Sequence, residues 1–291
     1  MTSTKLFSLC PHIERNGSSV PSLNYLFLAS DLDGTLLFNN QVSDINRKSI
    51  EKFQSLGGSF TIASGRNYNE AKHIIEQLNI SLPVILCNGA VLYDPKLDEI
   101  IPIKTLDVKL AIDIACELDV DFVESDVFVF TIDQIYATKV SPYTLNITNT
   151  NDFRIQVISS FREIPQQQII KIVTITKPEN MSSVINHIEQ KKWPTDYVQT
   201  GDDFFEIVPQ GASKGKAISH VLRELQIPNE KAAAIGDHCN DLSMAEHVGL
   251  FAAVSNSHPS TLEKANLIVP SNMHDGVAHL ITNHLIHPSQ V

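Results

Sequence analysis

The 291-residue sequence predicts an α/β protein with a Rossmann-like core, in which helices cover both faces of a parallel sheet, and with an inserted α+β domain. Two observations predict this fold. Short apolar runs alternate with helical stretches in the first and last parts of the chain, which is typical of strands joined by right-handed crossovers. Between these parts the pattern changes to hairpin-like strands. One domain is therefore expected to interrupt another.

The first part of the core begins with an apolar run at residues 25–29, which has the length and composition of a buried parallel strand. A helical stretch at residues 44–56 follows, and Gly57 and Gly58 are expected to end it. The next elements are predicted in the order strand, helix, strand, at residues 60–63, 68–78 and 84–87.

The middle of the chain is predicted to form a separate α+β unit. Its clearest elements are a hairpin at residues 127–131 and 134–138 and helices at residues 108–118 and 181–191. The core pattern then resumes with predicted helices at residues 214–225 and 242–248 and predicted strands at residues 232–235, 250–254 and 267–269.

These elements predict four segments along the chain. Residues 1–24 show no helical or strand periodicity and are expected to be a poorly ordered extension. The first part of the core is assigned to residues 25–90, the inserted domain to residues 91–202 and the second part of the core to residues 203–291.

Composition limits the partners of this chain. A net charge of -11 would repel a nucleic-acid backbone, so nucleic acid is not an expected partner. No stretch approaches about twenty apolar residues, so no membrane span is expected. The four cysteines show no C-x-x-C pairing, which favours reduced thiols and a cytoplasmic location. A phosphate-binding site on this acidic chain would need a local cluster of positive groups or a bound cation.

The segment Asp31-Leu32-Asp33-Gly34-Thr35 lies where the first buried strand should end. Ligands of open α/β sheets bind at the carboxyl ends of strands. Two carboxylates at positions i and i+2 can meet one hard cation, and Gly34 allows the backbone to turn its amides towards an anion. The alternative interpretation is an ordinary turn with capping aspartates.

Two weaker motifs add a hydroxyl group and a positive charge. Ser64-Gly65-Arg66 follows the second predicted strand, although a serine there is more often the N-cap of the next helix. Ser213-Lys214-Gly215 begins a predicted helix, and Lys214 would supply the charge that a phosphate needs. A solvated surface lysine is the usual alternative.

The fourth motif, Gly236-Asp237-His238-Cys239-Asn240-Asp241, follows another predicted core strand. It should bring Asp237 and Asp241 to the same sheet edge as Asp31 and Asp33. Four carboxylates in one place would repel one another unless a divalent cation offset their charge. Mg²⁺ suits a site whose ligands are all oxygen atoms.

Taken in order, the four motifs resemble those of the haloacid dehalogenase superfamily of phosphotransferases: D-x-D-G-T, then Ser or Thr, then Lys, then G-D-x-x-N-D. Further similarity lies in Asn88-Gly89-Ala90, in residues 205–209 before Ser213 and in Gly276-Val277, which look like the Cof-type branch. That branch has a cap domain between the second and third motifs, where the insertion lies here. The resemblance covers nearly everything after Asn24.

The resemblance implies a magnesium-dependent phosphatase of small phosphorylated metabolites, such as sugar phosphates. Asp31 would be the nucleophile that forms an aspartyl-phosphate, and Asp33 would protonate the leaving alcohol and later activate water. Mg²⁺ would be held by Asp31, the main-chain carbonyl of Asp33 and Asp237. Asp241 would support either the metal or Lys214.

The remaining motif residues would bind the phosphoryl group. The resemblance implies that Ser64 and Lys214 bind its oxygens. Gly34 and Gly65 would donate hydrogen bonds to it from their backbone amides. Asn240 would contact phosphate or Lys214. Two residues keep alternative interpretations: Thr35 either fixes the loop or begins a helix, and Arg66 either binds substrate or forms a structural ion pair.

Three other functions use the same motifs. A phosphosugar mutase would pass the phosphoryl group to a second hydroxyl, a phosphoaspartate switch would keep it as a signal, and an inactive phosphate-binding protein would not react. The second carboxylate, Asp33, argues against a switch, and the retained residue types argue against an inactive protein. The substrate stays open, and a monomer or weak homodimer is expected because no heptad pattern is present.

Overall fold

The protein is described from a computed structural model, which covers residues 23–148 and 155–287. The strands of these residues are β1 (Phe27–Ser30), β2 (Leu37–Phe38), β3 (Gln41–Val42), β4 (Ser59–Ile62), β5 (Val84–Leu86), β6 (Val91–Asp94), β7 (Glu99–Pro102), β8 (Asp126–Thr131), β9 (Ile135–Ala137), β10 (Ile155–Val157), β11 (Ile169–Ile175), β12 (Thr195–Gln199), β13 (Phe204–Pro209), β14 (Ala232–Gly236), β15 (Leu250–Val254) and β16 (Leu267–Val269). The α-helices are α1 (Asp44–Ser55), α2 (Tyr68–Gln77), α3 (Val108–Asp121), α4 (Pro142–Ile147), α5 (Pro178–Lys191), α6 (Lys214–Glu224), α7 (Pro259–Lys264) and α8 (Gly276–Leu280).

The core is a parallel sheet of five strands in the order β16-β15-β14-β1-β4. The central strand β1 is buried along its whole length because helices cover both faces of the sheet, which explains its uninterrupted apolar sequence. Two separate clusters of buried side chains lie on the two faces. The predicted α/β fold is confirmed.

Side chains that cap helix N-termini fix the ends of the core helices. Ser43 caps α1 and Ser213 caps α6, each by accepting a hydrogen bond from a backbone amide of the first turn. Asn67 and Glu70 form a reciprocal capping box at the start of α2. The helix predicted at residues 242–248 is instead a 3₁₀ segment, Cys239–Glu246, which begins within the fourth motif.

The inserted part forms a six-stranded sheet in the order β10-β9-β8-β11-β13-β12. Helices α3 and α5 pack on one face, where they bury an apolar cluster that includes Val127, Val129 and Ile172. The opposite face has its own cluster of six buried apolar side chains, which includes Phe128 and Phe130. Successive residues of β8 therefore point to the two faces, as the period of a strand requires.

The structure differs from the predicted segment boundaries at three places. Strand β13 pairs with β11 and β12 of the inserted sheet, although residues from 203 onwards were assigned to the core. Strands β6 and β7 extend a small antiparallel sheet from β5, although residue 91 was the predicted start of the insertion. The predicted four-part division is otherwise not decided by these pairings and stays a prediction.

The third difference concerns the predicted extension, residues 1–24, of which residues 1–22 lie outside the described residues. Asn24 is held in place, because its backbone amide donates to the carbonyl of Leu285 and its side chain donates to that of His284. Leu23 forms a β-bridge with Ile286. Across residues 23–148 and 155–287, no helix has both the length and the apolar character needed to cross a membrane.

Candidate active site

The loop after β1 places Asp31 at the carboxyl edge of the core sheet. The backbone amide of Asp31 donates to the carbonyl of Ile235 at 3.0 Å, which continues the pairing between β1 and β14 by one residue. Only 5% of Asp31 is exposed. The carboxylate of Asp33, two residues later, is 60% exposed. The two aspartates of the first motif therefore lie in different environments.

The fourth motif follows β14, the parallel neighbour of β1, and so reaches the same sheet edge. Asp31, Asp237 and Asp241 each have a carboxylate oxygen within 4.8 Å of those of the other two. The side chain of Asp33 is not part of this cluster. The structure therefore brings three of the four predicted carboxylates together.

Lys214 lies at the first position of α6 and is completely buried. Its Nζ donates to Asp31 Oδ1 at 2.6 Å and to Asp241 Oδ1 at 2.7 Å. The other oxygen of Asp241 accepts from the backbone amides of Asp237 and His238, at 2.9 and 3.1 Å. Both oxygens of Asp241 thus accept hydrogen bonds, and one of them contacts Lys214, which is one of the two roles considered for this residue. The surface-lysine interpretation of Lys214 is wrong.

Burial and mutual repulsion dominate the electrostatics of this cluster. Burial raises the pKa of Asp31 well above its usual value, Lys214 opposes this effect, and Asp241 and Asp237 add to it. Burial together with Asp241 raises the pKa of Asp237 to about 6. Burial lowers the pKa of Lys214, but the carboxylates of Asp241 and Asp31 outweigh this and raise it above its usual value. One ammonium group thus lies among three carboxyl groups, which repel one another when they are ionised.

Gly34 and Thr35 place the first loop against Asp237. Thr35 Oγ1 donates to Asp237 Oδ1 at 2.8 Å, so the threonine fixes the loop and does not begin a helix. Gly34 has a φ of +78°, and a Cβ atom at this position would lie 2.3 Å from Asp237 Oδ2. Any side chain here would therefore displace the carboxylate that the loop approaches.

The second motif lies beside the first. Ser64 is fully buried, and its hydroxyl accepts from the backbone amide of Arg66 at 3.1 Å. It is not the N-cap of α2, because Asn67 has that role. Arg66 donates to both carboxylate oxygens of Asp33, through Nε at 2.8 Å and Nη2 at 2.6 Å. Of the two interpretations of Arg66, the structure contains the ion pair.

A buried polar network, which sequence reasoning missed, joins the inserted sheet to the core. Lys171 of β11 and Glu206 of β13 form an ion pair at 2.7 Å, and Lys171 Nζ also donates to the carbonyl of Gly65 at 2.9 Å. Glu206 accepts from the side chain of Asn88 at 2.8 Å, and Asn88 in turn accepts from that of Asn240 at 3.1 Å. The sequence signal that could have indicated this network is the single charged residue within each of the two apolar strands, β11 and β13.

Comparison with known proteins decides the family. A family model described as haloacid dehalogenase-like hydrolase matches residues 28–281. The chain belongs to this family. It is similar to YxeH of Bacillus subtilis, with 30% identity over 276 residues that cover 88% of this chain and 97% of YxeH. It is also similar to phosphatase YwpJ of the same organism, with 28% identity and coverage of 89% and 99%.

Comparison with solved structures agrees with this family assignment. A haloacid dehalogenase-like hydrolase from B. subtilis superposes with a TM-score of 0.80 and 28% identity, over 89% of this chain and 100% of that chain. The predicted resemblance is confirmed, and this chain is an enzyme of the phosphatase branch of the family.

A cavity of about 500 Å³ lies between the two sheets of the hydrolase. Asp31, Asp33, Arg66, Asp237 and Asn240 line it on the core side. Asp31 and Asp237 thus face one cavity, whose acidic cluster has the oxygen donors that a divalent cation requires. The repulsion among these carboxyl groups, which a divalent cation would offset, gives a second reason why they fit such an ion.

Proposed function

We propose that this hydrolase is a magnesium-dependent phosphatase of small phosphorylated metabolites, which acts through an aspartyl-phosphate on Asp31. The observation that supports this most directly is that Asp31, which lies beside Asp237 on the wall of the cavity, contacts the buried Lys214. A nucleophilic carboxylate, a fixed positive charge and a cluster of oxygen ligands are the groups that phosphoryl transfer requires.

Asp31 and Asp237, with the main-chain carbonyl of Asp33, would hold Mg²⁺, because their oxygens are hard ligands. When bound, the cation neutralises charge on the transferring phosphoryl group. Asp241 would act through Lys214, since both of its oxygens already accept hydrogen bonds. Lys214 would hold a phosphoryl oxygen, with Ser64 and the backbone amides of Gly34 and Gly65 around it.

The chemistry would proceed in two steps. The carboxylate of Asp31 attacks phosphorus, the bond to the ester oxygen breaks, and Asp33 gives its proton to the leaving alcohol. Asp33 then takes a proton from water, the water oxygen attacks phosphorus, and phosphate leaves as the Asp31 carboxylate is restored. Arg66 donates to both oxygens of Asp33 and so holds this carboxylate in place, while each oxygen keeps a further lone pair for the proton.

The test is phosphate release from a set of phosphomonoesters by the purified protein, with and without Mg²⁺. Activity should need the cation and disappear on addition of a chelator, and Asp31→Asn should abolish it without loss of folded structure by circular dichroism. A matched control is Asp44→Asn, since Asp44 is an exposed aspartate in the first turn of α1. Phosphate release by the Asp31→Asn variant at the wild-type rate would contradict the proposal. A product that keeps its phosphate on a second hydroxyl would indicate a mutase instead.

A further inference from the structure

The inserted sheet covers the cavity with an apolar surface, which we call the roof. Its apolar members are Phe128, Phe130, Ile147, Ile155, Ile175 and Phe204. Three of the six are aromatic, and they come from α4 and from four strands of the sheet, namely β8, β10, β11 and β13. Six of the eleven described residues that line this side of the cavity are therefore apolar, and the other five are Thr144, Thr148, Lys171, Thr200 and Glu206.

The period of the strands explains why these side chains share one face. In β8, Val127 and Val129 pack against α3 and α5, whereas Phe128 and Phe130 belong to the opposite cluster. In β13, Phe205 and Ile207 belong to the helix-covered face, and Phe204 packs on the other. The roof is thus a regular sheet face, whose apolar character does not depend on one side chain.

The polar groups of the same surface are largely occupied by protein partners. Lys171 and Glu206 bind each other, Gly65 and Asn88. The hydroxyl of Thr144 donates to Asp126, and that of Thr148 donates to the carbonyl of Thr144. Thr200 is the remaining polar residue on this side of the cavity among the described residues.

This surface offers few hydrogen-bond partners to the hydroxyl groups of a sugar. Each hydroxyl that leaves water without a new hydrogen bond costs about 1–3 kcal/mol, and a hexose carries several of them. A flat ring system has few polar groups to satisfy and gains from the removal of apolar area from water. Aromatic side chains such as those of the roof also favour stacked or edge-to-face contact with such a ring.

We infer that the organic group of the substrate is an aromatic or heteroaromatic ring on a phosphomonoester, bound between the roof and the phosphate end of the cavity. This inference rests on the proposed phosphatase activity and narrows its substrate class. The cavity of about 500 Å³ is within the range typical of small-molecule sites, roughly 300–1,000 Å³.

The experiment compares kcat/KM for esters of primary alcohols, so that the leaving groups differ little in their chemistry. The ring substrates are 2-phenylethyl phosphate and pyridoxine 5′-phosphate, and the polyhydroxylated ones are glucose 6-phosphate and glycerol 3-phosphate. Acetyl phosphate, whose organic group is too small to reach the roof, reports the core chemistry by itself. We expect ring substrates to be preferred by about tenfold or more, the scale on which hydrophobic pockets discriminate.

Two variants connect that preference to the roof. Ile147→Thr keeps the branch at Cβ but replaces the ethyl group by a hydroxyl, and the residue is 37% exposed, so the fold should tolerate it. Leu145→Thr is the matched control, since Leu145 lies on the same helix, is 50% exposed and is not among the residues lining the cavity. The ratio of ring to sugar kcat/KM should fall about fivefold in Ile147→Thr through a higher KM, and stay unchanged in Leu145→Thr. Phe204→Thr, checked by thermal melting, should lower the ratio further.

The possible outcomes separate the two proposals. Turnover of acetyl phosphate together with equal or better use of glucose 6-phosphate overturns the ring preference and leaves the phosphatase intact. An equal effect of Ile147→Thr and Leu145→Thr overturns the role of the roof. No phosphate release from any substrate, acetyl phosphate included, overturns the proposed function and with it the inference.

Discussion

Lys171 and Glu206 form a buried ion pair at 2.7 Å, 4% and 7% exposed, at the point where the inserted sheet meets the core. Lys171 also holds the carbonyl of Gly65, and Glu206 holds Asn88. The inserted sheet therefore contacts the second motif directly and reaches Asn240 of the fourth motif through Asn88. The ion pair links the surface that covers the cavity to residues proposed to bind phosphate.

Breaking this pair should destabilise the protein. Lys171→Met leaves the Glu206 carboxylate buried without its cation, so the free energy of unfolding should fall by about 3–5 kcal/mol. The double variant Lys171→Met/Glu206→Leu should recover part of the loss, because apolar groups then replace the charges. Chemical denaturation measures both effects.

The control for this prediction is Asp113→Asn, which removes an ion pair with Lys109 on the surface of α3. Its effect on the denaturation midpoint should be negligible, since solvent screens exposed pairs. If Lys171→Met were as harmless as Asp113→Asn, the buried pair would have no stabilising role.

Gly34→Ala should weaken the proposed binding of Mg²⁺ through one added methyl group. The new Cβ would lie 2.3 Å from Asp237 Oδ2, so the carboxylate must move and the cation dependence of the activity should shift to higher Mg²⁺ concentration. Gly57→Ala separates this clash from backbone strain, because Gly57 has a similar φ of +87° but nothing within 4 Å of the added atom. Both variants should lose about 1–2 kcal/mol of stability from the left-handed backbone. Equal activity of the two would contradict the steric explanation.

Lys214→Met should remove the charge that faces Asp31 and Asp241. Loss of one fixed positive group at a transferring phosphoryl group is expected to lower kcat by about 10²–10³, and the two carboxylates left behind should also lower the melting temperature. Lys216→Met is the matched control, because Lys216 is exposed on the same helix. Steady-state kinetics of the two variants, with melting curves, test the prediction. Similar losses of kcat in both would show that the effect does not come from the buried contact.

Much of the fold and site was predictable because its signals are local in sequence. The buried run of β1 followed by Asp31 marks a strand that ends at a functional edge, and the same reasoning located Asp237 after β14. Parallel strands bring their carboxyl ends together, so two strand-end motifs far apart in the chain were expected to meet. Lys214 was predicted from another local signal, because a helix begins at this residue.

The missed features depend on pairings that have no local signature. Strand β13 looks equally suited to either sheet, and its partner β11 lies about thirty residues earlier. Lys171 and Glu206 are 35 residues apart in different strands, so no spacing relates them. Asn67 and Ser64 are both good N-cap residues, and only the backbone course after β4 decided that Asn67 caps α2.

Arg66→Lys should test how Asp33 is positioned. Arg66 donates to both oxygens of Asp33 and also to Asn40, a planar arrangement that a lysine ammonium cannot reproduce. The carboxylate should then be less well placed for proton transfer, and kcat should fall by about 10–100-fold with little change in KM. Arg47→Lys is the matched control, because Arg47 forms its ion pairs with Asp44 and Glu51 on the exposed face of α1 and should leave kcat unchanged. If KM rose in Arg66→Lys while kcat stayed constant, the arginine would act by binding substrate and not by holding Asp33.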